Sequence, residues 1–396
     1  MHAVLISLVD CAISSALSVS LSNLMRKTLG AICLSLLCAM LAAGLWPFNF
    51  FPRNEVSWLG KVDGIQFGQR ARVHSSRIFE VPDPKENLFC SLELWLQPAV
   101  GYLKGPATIL LFTTPDNPLQ FRVRQGLDVL LLRKDSRDRR NHLQTIPIDI
   151  EHAFRQDEQV FFTVTTGPKG TSVYRNAVFQ KLFPLYGLSC KDFSGELILG
   201  GTLTSDRSWP GKLFGIAIYE RELTPEQVSQ HIAMWSEKAP PESFKKDGLL
   251  ALYSFSERQG RVVHNSTAST PDLYIPRIFR IPRKKMLALP WEEFSPDLHY
   301  VLDILINIAG FVPFGFCFFA YLTERRWKRA AMMTILAGGI VALTIEILQG
   351  FLISRRSGVT DIITNTIGTS LGVMLWGWPP IREFAAKLSR TQPTLP

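Results

Sequence analysis

The sequence predicts a multidomain α plus β protein: a four-helix transmembrane bundle with an extracytoplasmic β-sandwich between its first and second membrane helices. Three observations carry this. One long apolar segment lies near the start and three near the end, short alternating runs fill the middle, and the basic residues gather at one set of helix ends.

The first apolar stretch, Thr28 to Trp46, follows Arg26-Lys27 and is long enough to cross a bilayer, which takes about 20 residues. A signal peptide cleaved near Leu41-Ala42-Ala43 is the alternative reading. Residues 1–24 are apolar but interrupted by Asp10 and several serines, and Met25 offers an alternative start. The other candidates are 299–322, 331–354 and 361–378, each containing one acid: Asp303, Glu346 and Asp361.

Short cytoplasmic loops collect Lys and Arg. Arg26 and Lys27, the run Arg325-Arg326-Trp327-Lys328-Arg329, and Arg382, Lys387 and Arg390 all fall inside if the four segments span. Both termini are then cytoplasmic and the middle is outside. The net charge of +9 is mostly this topology signal, so no nucleic-acid partner is expected.

Between Pro47 and Ile275 the pattern changes to period-2 runs such as Cys90 to Leu96, Gln159 to Thr166, Gly195 to Gly200 and Lys212 to Tyr219, separated by Gly, Pro, Asp and Asn. Alternation at this spacing predicts a β-sandwich. Thr224-Pro225-Glu226-Gln227 supplies an N-cap, a proline at the first helical position and a capping-box glutamine, so a helix through Val228, Ile232 and Trp235 is expected on the sandwich rim. The six cysteines form no CxxC and no zinc-ligand spacing. Cys90 and Cys190 either pair outside the membrane or remain buried thiols.

The segments Ser91-Leu92-Glu93-Leu94-Trp95-Leu96-Gln97-Pro98, Leu197 to Gly200, Trp209 to Leu213 and Ala217 to Pro225 resemble a laminin G or concanavalin A-like jelly roll over 52–276, with Leu250 to Phe255 as a further strand. That resemblance implies a fold used to bind carbohydrate or protein, sometimes through calcium. No calcium cluster is evident in the residues, so no cofactor is predicted and no ligand residue is assigned. A spacer without a ligand is the alternative, because fold does not imply function.

A charged residue at the bilayer centre costs about 2.5–3.5 kcal/mol on insertion scales, so acids in membrane helices mark functional sites by default. Asp303 and Asn307 are four residues apart and share a helical face; so do Asp361 and Asn365. Glu346 and Gln349 lie near the outer end of the third span, and the following loop carries Arg355 and Arg356. These eight residues are the candidate polar site in the outer half of the membrane. Gly368 and Gly372 continue the Asp361 stripe in the small-xxx-small pattern that lets helices approach closely.

The string Asp303 to Gly315, with Glu346-Ile347-Leu348-Gln349, Arg356, Asp361-Ile362-Ile363-Thr364-Asn365, Gly368 and Gly372, resembles the VanZ-like family over 28–50 and 298–378. Gly310 departs from that pattern, where a larger apolar residue is expected. The resemblance implies a membrane protein of the cell envelope, in a family associated with teicoplanin resistance. The expected organisation is a cytoplasmic N-terminus (1–27), membrane helix 1 (28–46), the sandwich (52–276), a juxtamembrane linker (277–298), the three-helix region (299–378) and a cytoplasmic tail (379–396). The expected partners are a membrane lipid, a lipid-linked glycan or an envelope polysaccharide. Binding through bidentate arginines is the first reading; catalysis with a buried carboxylate as acid or base, and coupled transport, are the alternatives.

Overall fold

A computed structural model describes residues 26–80, 89–98, 105–137, 142–267, 270–381 and 383. Met25, Asp10, Arg382, Lys387 and Arg390 lie outside the described residues. The chain forms two compact units, one drawn from residues 51–283 and the other from the stretches on either side.

The 51–283 unit is a sandwich of two antiparallel sheets. Its strands are β1 (Val56–Trp58), β2 (Ile65–Phe67), β3 (Val73–Ser75), β4 (Ser91–Gln97), β5 (Ala107–Thr113), β6 (Phe121–Gly126), β7 (Val129–Arg137), β8 (Leu143–Ile150), β9 (Val160–Gly167), β10 (Gly170–Arg175), β11 (Val178–Phe183), β12 (Glu196–Leu199), β13 (Lys212–Tyr219), β14 (Leu249–Tyr253), β15 (Val262–Val263) and β16 (Leu273–Tyr274). One sheet runs β1-β2-β13-β4-β9-β10-β11 with β14 also on β13, and the other runs β15-β16-β3-β12-β5-β6-β7-β8. Side chains alternate across a strand, so Leu92, Leu94 and Leu96 of β4 and Val160, Phe162 and Val164 of β9 enter the core between the sheets. Cys90 and Cys190 form a disulfide, which resolves the alternative left by the sequence.

The helix α2 (Pro225–Ser236) begins at the expected capping box: Thr224 Oγ1 accepts from Gln227 N at 3.3 Å, and Gln227 Oε1 accepts from Thr224 N at 2.9 Å. It lies on the outer face of the first sheet rather than on the rim. There Val228 and Trp235 pack with Phe161, Tyr174, Ala217, Tyr219 and Leu252, together with Phe244 of α3 (Glu242–Lys245). The reason is the outward set of β4, β9 and β13, which presents Trp95, Phe161 and Ala217 and needs cover. This makes a second interior, in which Glu93 and His231 are both fully buried.

The other unit contains α1 (Arg26–Leu45), the short α4 (Pro290–Glu293), α5 (Leu298–Glu324), α6 (Ala330–Gly350) and α7 (Val359–Gly377). The helices α1, α5 and α6 are long and apolar enough to cross a membrane. The fourth span expected from the sequence forms as a helix, but α7 is not among those three, because Thr360, Asp361, Thr364, Asn365, Thr366, Thr369 and Ser370 interrupt its apolar residues. It is instead the helix against which α5 and α6 pack. A Cβ on Gly368 would sit 2.2 Å from Ile308 O and one on Gly372 2.2 Å from Val312 O, so these two glycines let α7 and α5 touch backbone to backbone. Gly310 faces open space, so its departure from the expected larger residue disturbs no packing.

Candidate functional site

The N-terminus of α7 leaves backbone N–H groups without intrahelical partners and favours negative charge. Two carboxylates from other parts of the chain meet it. Glu346, on α6 and 1% exposed, accepts from Gly358 N at 2.8 Å. Glu293, on α4, accepts from Thr360 N at 3.4 Å.

A fold-back of the linker delivers Glu293. Residues 284–294 run beside the loop after α6, with Ala288 N donating to Ser357 O and Val359 N donating to Ala288 O, both at 2.9 Å. Lys284 Nζ donates to Gln349 O at 2.8 Å, one of the C-terminal carbonyls of α6, and also bonds Leu352 O in the turn that follows. Glu293 was missed by the sequence reading. Nothing in the spacing of the linker announces it, although Pro290 at a helix start followed by Glu292 and Glu293 marks a short acidic turn.

Asp361, in the first turn of α7, accepts from Asn307 Nδ2 at 2.8 Å. Asp303, one turn earlier on α5, is exposed and within electrostatic reach of Asp361, as is Glu293. One turn along α7, Asn365 is 4% exposed and its Oδ1 has no hydrogen-bond partner among the described residues; Thr360 Oγ1 is likewise buried and unpaired. Thus Asp303, Asn307, Glu346 and Asp361 gather with Glu293 around the start of α7, and Asn365 lies just below.

Gln349 and Arg355 point elsewhere. Gln349 Nε2 donates to Gly44 O at 2.9 Å, and Arg355 donates through Nε to Trp46 O at 3.1 Å and through Nη2 to Ala43 O at 3.4 Å. Both hold the end of α1, where helix carbonyls lack partners. Arg356 is exposed and makes no ion pair among the described residues. Neither arginine pairs with the acids among the described residues. The site is a set of hydrogen-bond acceptors with one free guanidinium on the adjoining loop, and no group of acids, histidines or cysteines among the described residues has an arrangement that holds a metal ion.

Two family models match the chain: VanZ/LLP1 over residues 248–379, and the concanavalin A-like lectin/glucanases superfamily over 80–229. A curated relative, Protein VanZ of Enterococcus faecium, is 33% identical over 76 residues, covering 19% of this chain and 44% of that protein. The chain thus spans less than half the length of that relative. Among solved structures, the receptor-binding domain of botulinum neurotoxin D aligns at 10% identity and TM-score 0.33, covering 47% of each chain. The CBM40 of a Ruminococcus gnavus IT-sialidase aligns at 13% identity and TM-score 0.32, covering 42% of this chain and 96% of that one. A pentraxin from Limulus polyphemus aligns at 15% identity and TM-score 0.28, covering 44% and 79%. The chain is VanZ-like over residues 248–379 and concanavalin A-like over residues 80–229.

Proposed function

We propose that this is an integral membrane protein of the cell envelope that recognises a lipid-linked or polysaccharide envelope component. The polar site at the start of α7 takes the head group, and the external sandwich takes glycan. The observation that carries this reading is connectivity: the chain leaves for the sandwich after α1 and returns before α5, and those two helix ends lie at the end of the bundle where the acids gather. Trp46, Trp291 and Phe294 are exposed at that same end, as side chains at a membrane interface are. The Lys and Arg bias supports a topology with this end outside and both termini cytoplasmic. The Cys90–Cys190 disulfide supports an oxidising compartment for the sandwich.

Carboxylates and amide oxygens accept hydrogen bonds from sugar hydroxyls, and Arg356 offers a bidentate donor for a phosphate or carboxylate. Glu346 and Glu293 are already engaged with α7, so Asp303, Asp361, Asn365 and Arg356 are the members left to meet a ligand. A role in teicoplanin-type resistance follows only if the envelope component is the one that antibiotic engages. Turnover of the bound lipid-linked glycan is the second reading, favoured by the buried carboxylate of Glu346.

The test uses Asp303→Asn and Arg356→Ala, both at exposed positions, beside Asp361→Asn. Each protein is extracted in detergent and its co-purifying lipids are identified by mass spectrometry. The reading expects wild-type yields with loss of one bound lipid class. Three variants that retain wild-type lipid refute it, and equal loss of folded protein in all three assigns the cluster to holding the bundle together. Reporters fused near Pro240 and Lys328 should report opposite sides of the membrane; the same side for both sinks the topology.

A further inference from the structure

The strand β6 reads Phe121-Arg122-Val123-Arg124-Gln125-Gly126, with Phe121, Val123 and Gln125 buried and both arginines on the outer face of their sheet. Arg133 of β7 stands opposite Arg122 on the same face. Two of these three cations are neutralised: Arg122 pairs with Asp135 at 3.1 Å and Arg133 with Asp149 at 2.5 Å. Arg124 has no carboxylate among the described residues. Its Nη2 donates to Pro106 O at 2.7 Å, and its Nε is buried without a partner among the described residues. Burial pulls this guanidinium below its usual range, and the charges of Arg122 and Arg133 add to the effect.

Arg124 opens into a cleft of about 340 Å³, walled on the other side by the loop after β12. That loop is a built wall. Leu203 packs on Leu111 and Ile198 of the outer sheet face, and the buried Arg72 donates to Thr202 O at 2.7 Å and Ser205 O at 3.2 Å. Thr202 and Ser205 close the turn on themselves, with Thr202 N donating to Ser205 Oγ at 2.9 Å. The loop also brings Arg207 and Asp206, both exposed, to the cleft mouth beside Gln69.

We propose that this cleft is a subsite for an acidic saccharide, in which Arg124 takes a carboxylate or phosphate oxygen and Arg207, Asp206 and Gln69 bond the ring substituents. This deepens the glycan reading above and rests on it. The size sits at the low end of small-molecule pockets, about 300–1,000 Å³, which suits the end of a sugar chain rather than a long stretch of polymer. No aromatic ring lines the cleft among the described residues, so discrimination comes from charge and hydrogen bonds. Arg124 is half-buried and, among the described residues, bonded only to a neutral carbonyl, so its charge is open to a counter-ion on the cleft side. An anionic ligand supplies the missing counter-charge as a charge-assisted pair, which is stronger than a neutral hydrogen bond.

The experiment places the full-length protein, in detergent, on an array of uronate-bearing, phosphate-bearing and neutral glycans at low and physiological salt. Capture at least tenfold stronger on one acidic class, weakened by salt, is expected; the two acidic arms tell carboxylate from phosphate. Arg124→Gln should lose that capture tenfold or more and Arg207→Gln severalfold. Arg133→Gln, on the same sheet but away from the cleft, should retain it. If Arg124→Gln does not fold, the exposed Arg207 variant decides. Equal capture of neutral and acidic glycans, or capture unchanged in the cleft variants, overturns the subsite while leaving a glycan-binding sandwich. Capture of no glycan at all overturns both.

Discussion

Glu93 is the residue whose removal should damage the sandwich most for its size. It is 0% exposed, and its two oxygens serve three donors: Oε1 lies 2.8 Å from His231 Nδ1, and Oε2 accepts from Tyr219 Oη at 2.7 Å and Trp235 Nε1 at 3.0 Å. The second nitrogen of His231 lies 3.0 Å from Asp247 Oδ2. Breaking a buried ionic pair from one side costs about 3–5 kcal/mol. Each orphaned buried donor costs about 1–3 kcal/mol, although such costs do not add. Glu93→Ala should therefore cost about 4–5 kcal/mol, close to the whole stability of many domains, roughly 5–15 kcal/mol. Glu93→Gln retains one acceptor and should cost less, about 2–3 kcal/mol.

The same network fixes a pH dependence. Burial pulls the His231 pKa down, but its hydrogen bonds and charge interactions with Glu93 and Asp247 outweigh burial and raise it above the ordinary histidine range. A raised histidine contributes stability that is fully present below its unfolded value and is lost as pH rises through its folded value. Wild-type stability should thus fall on the alkaline side of about pH 6.5, and Glu93→Gln, which leaves His231 one carboxylate of two, should flatten that fall. Tyr219 does not confuse the readout, since burial and the charge of Glu93 push its phenol well above its ordinary value. The assay is urea unfolding of the full chain in detergent from pH 6 to 9, followed by tryptophan fluorescence. Parallel pH slopes in wild type and Glu93→Gln, or a cost below about 1 kcal/mol for Glu93→Ala, would refute the account.

Three further outcomes are expected. Gly368→Ala places a Cβ 2.2 Å from Ile308 O and should abolish the monodisperse peak in size-exclusion chromatography, whereas Gly310→Ala meets nothing within 4 Å and should leave it intact while gaining up to about 1 kcal/mol of helix propensity. Replacing both Cys90 and Cys190 by Ser opens a link between residues 100 apart and should cost about 4 kcal/mol in urea unfolding, with reduced wild type shifting equally. Arg72→Ala strands the carbonyls of Thr202, Ser205 and Arg280 and should cost about 3 kcal/mol, read as a lowered unfolding midpoint of the sandwich.

The elements legible in the sequence are those whose signals are local. Apolar length located α1, α5 and α6, and alternation located β4, β9 and β13, because burial on one face imposes a period within a few residues. What escaped depended on distant partners. Glu93 lies in an alternating run, Leu92-Glu93-Leu94, that reads as a polar residue facing water. It faces His231, 138 positions away, because α2 turned the outer face of that sheet into a second interior. Arg355 reads as a bidentate donor for a ligand in the polar site, yet it bonds carbonyls more than 300 positions away at the end of α1, since helix ends also need donors.

The same physics ranks the acids of the bundle. Hydropathy alone treats Asp303, Glu346 and Asp361 as equivalent intrusions, and it says nothing of Glu293, which arrives through a fold-back. The free N–H groups at the start of α7 separate them. Glu346 and Glu293 each accept one of those donors, so they perform for α7 what a capping side chain performs within a helix. Removing either leaves a helix end without its acceptor and should be felt as misfolding. Asp361 is half engaged, through Asn307, and Asp303 has no such duty. A ligand that donates hydrogen bonds therefore meets Asp303 and Asp361 first, with the Asn365 oxygen, unpaired among the described residues, one turn below. Substitution at Asp303 should then separate recognition from folding where substitution at Glu346 cannot, because only the first leaves every backbone donor of α7 with the partner it already has.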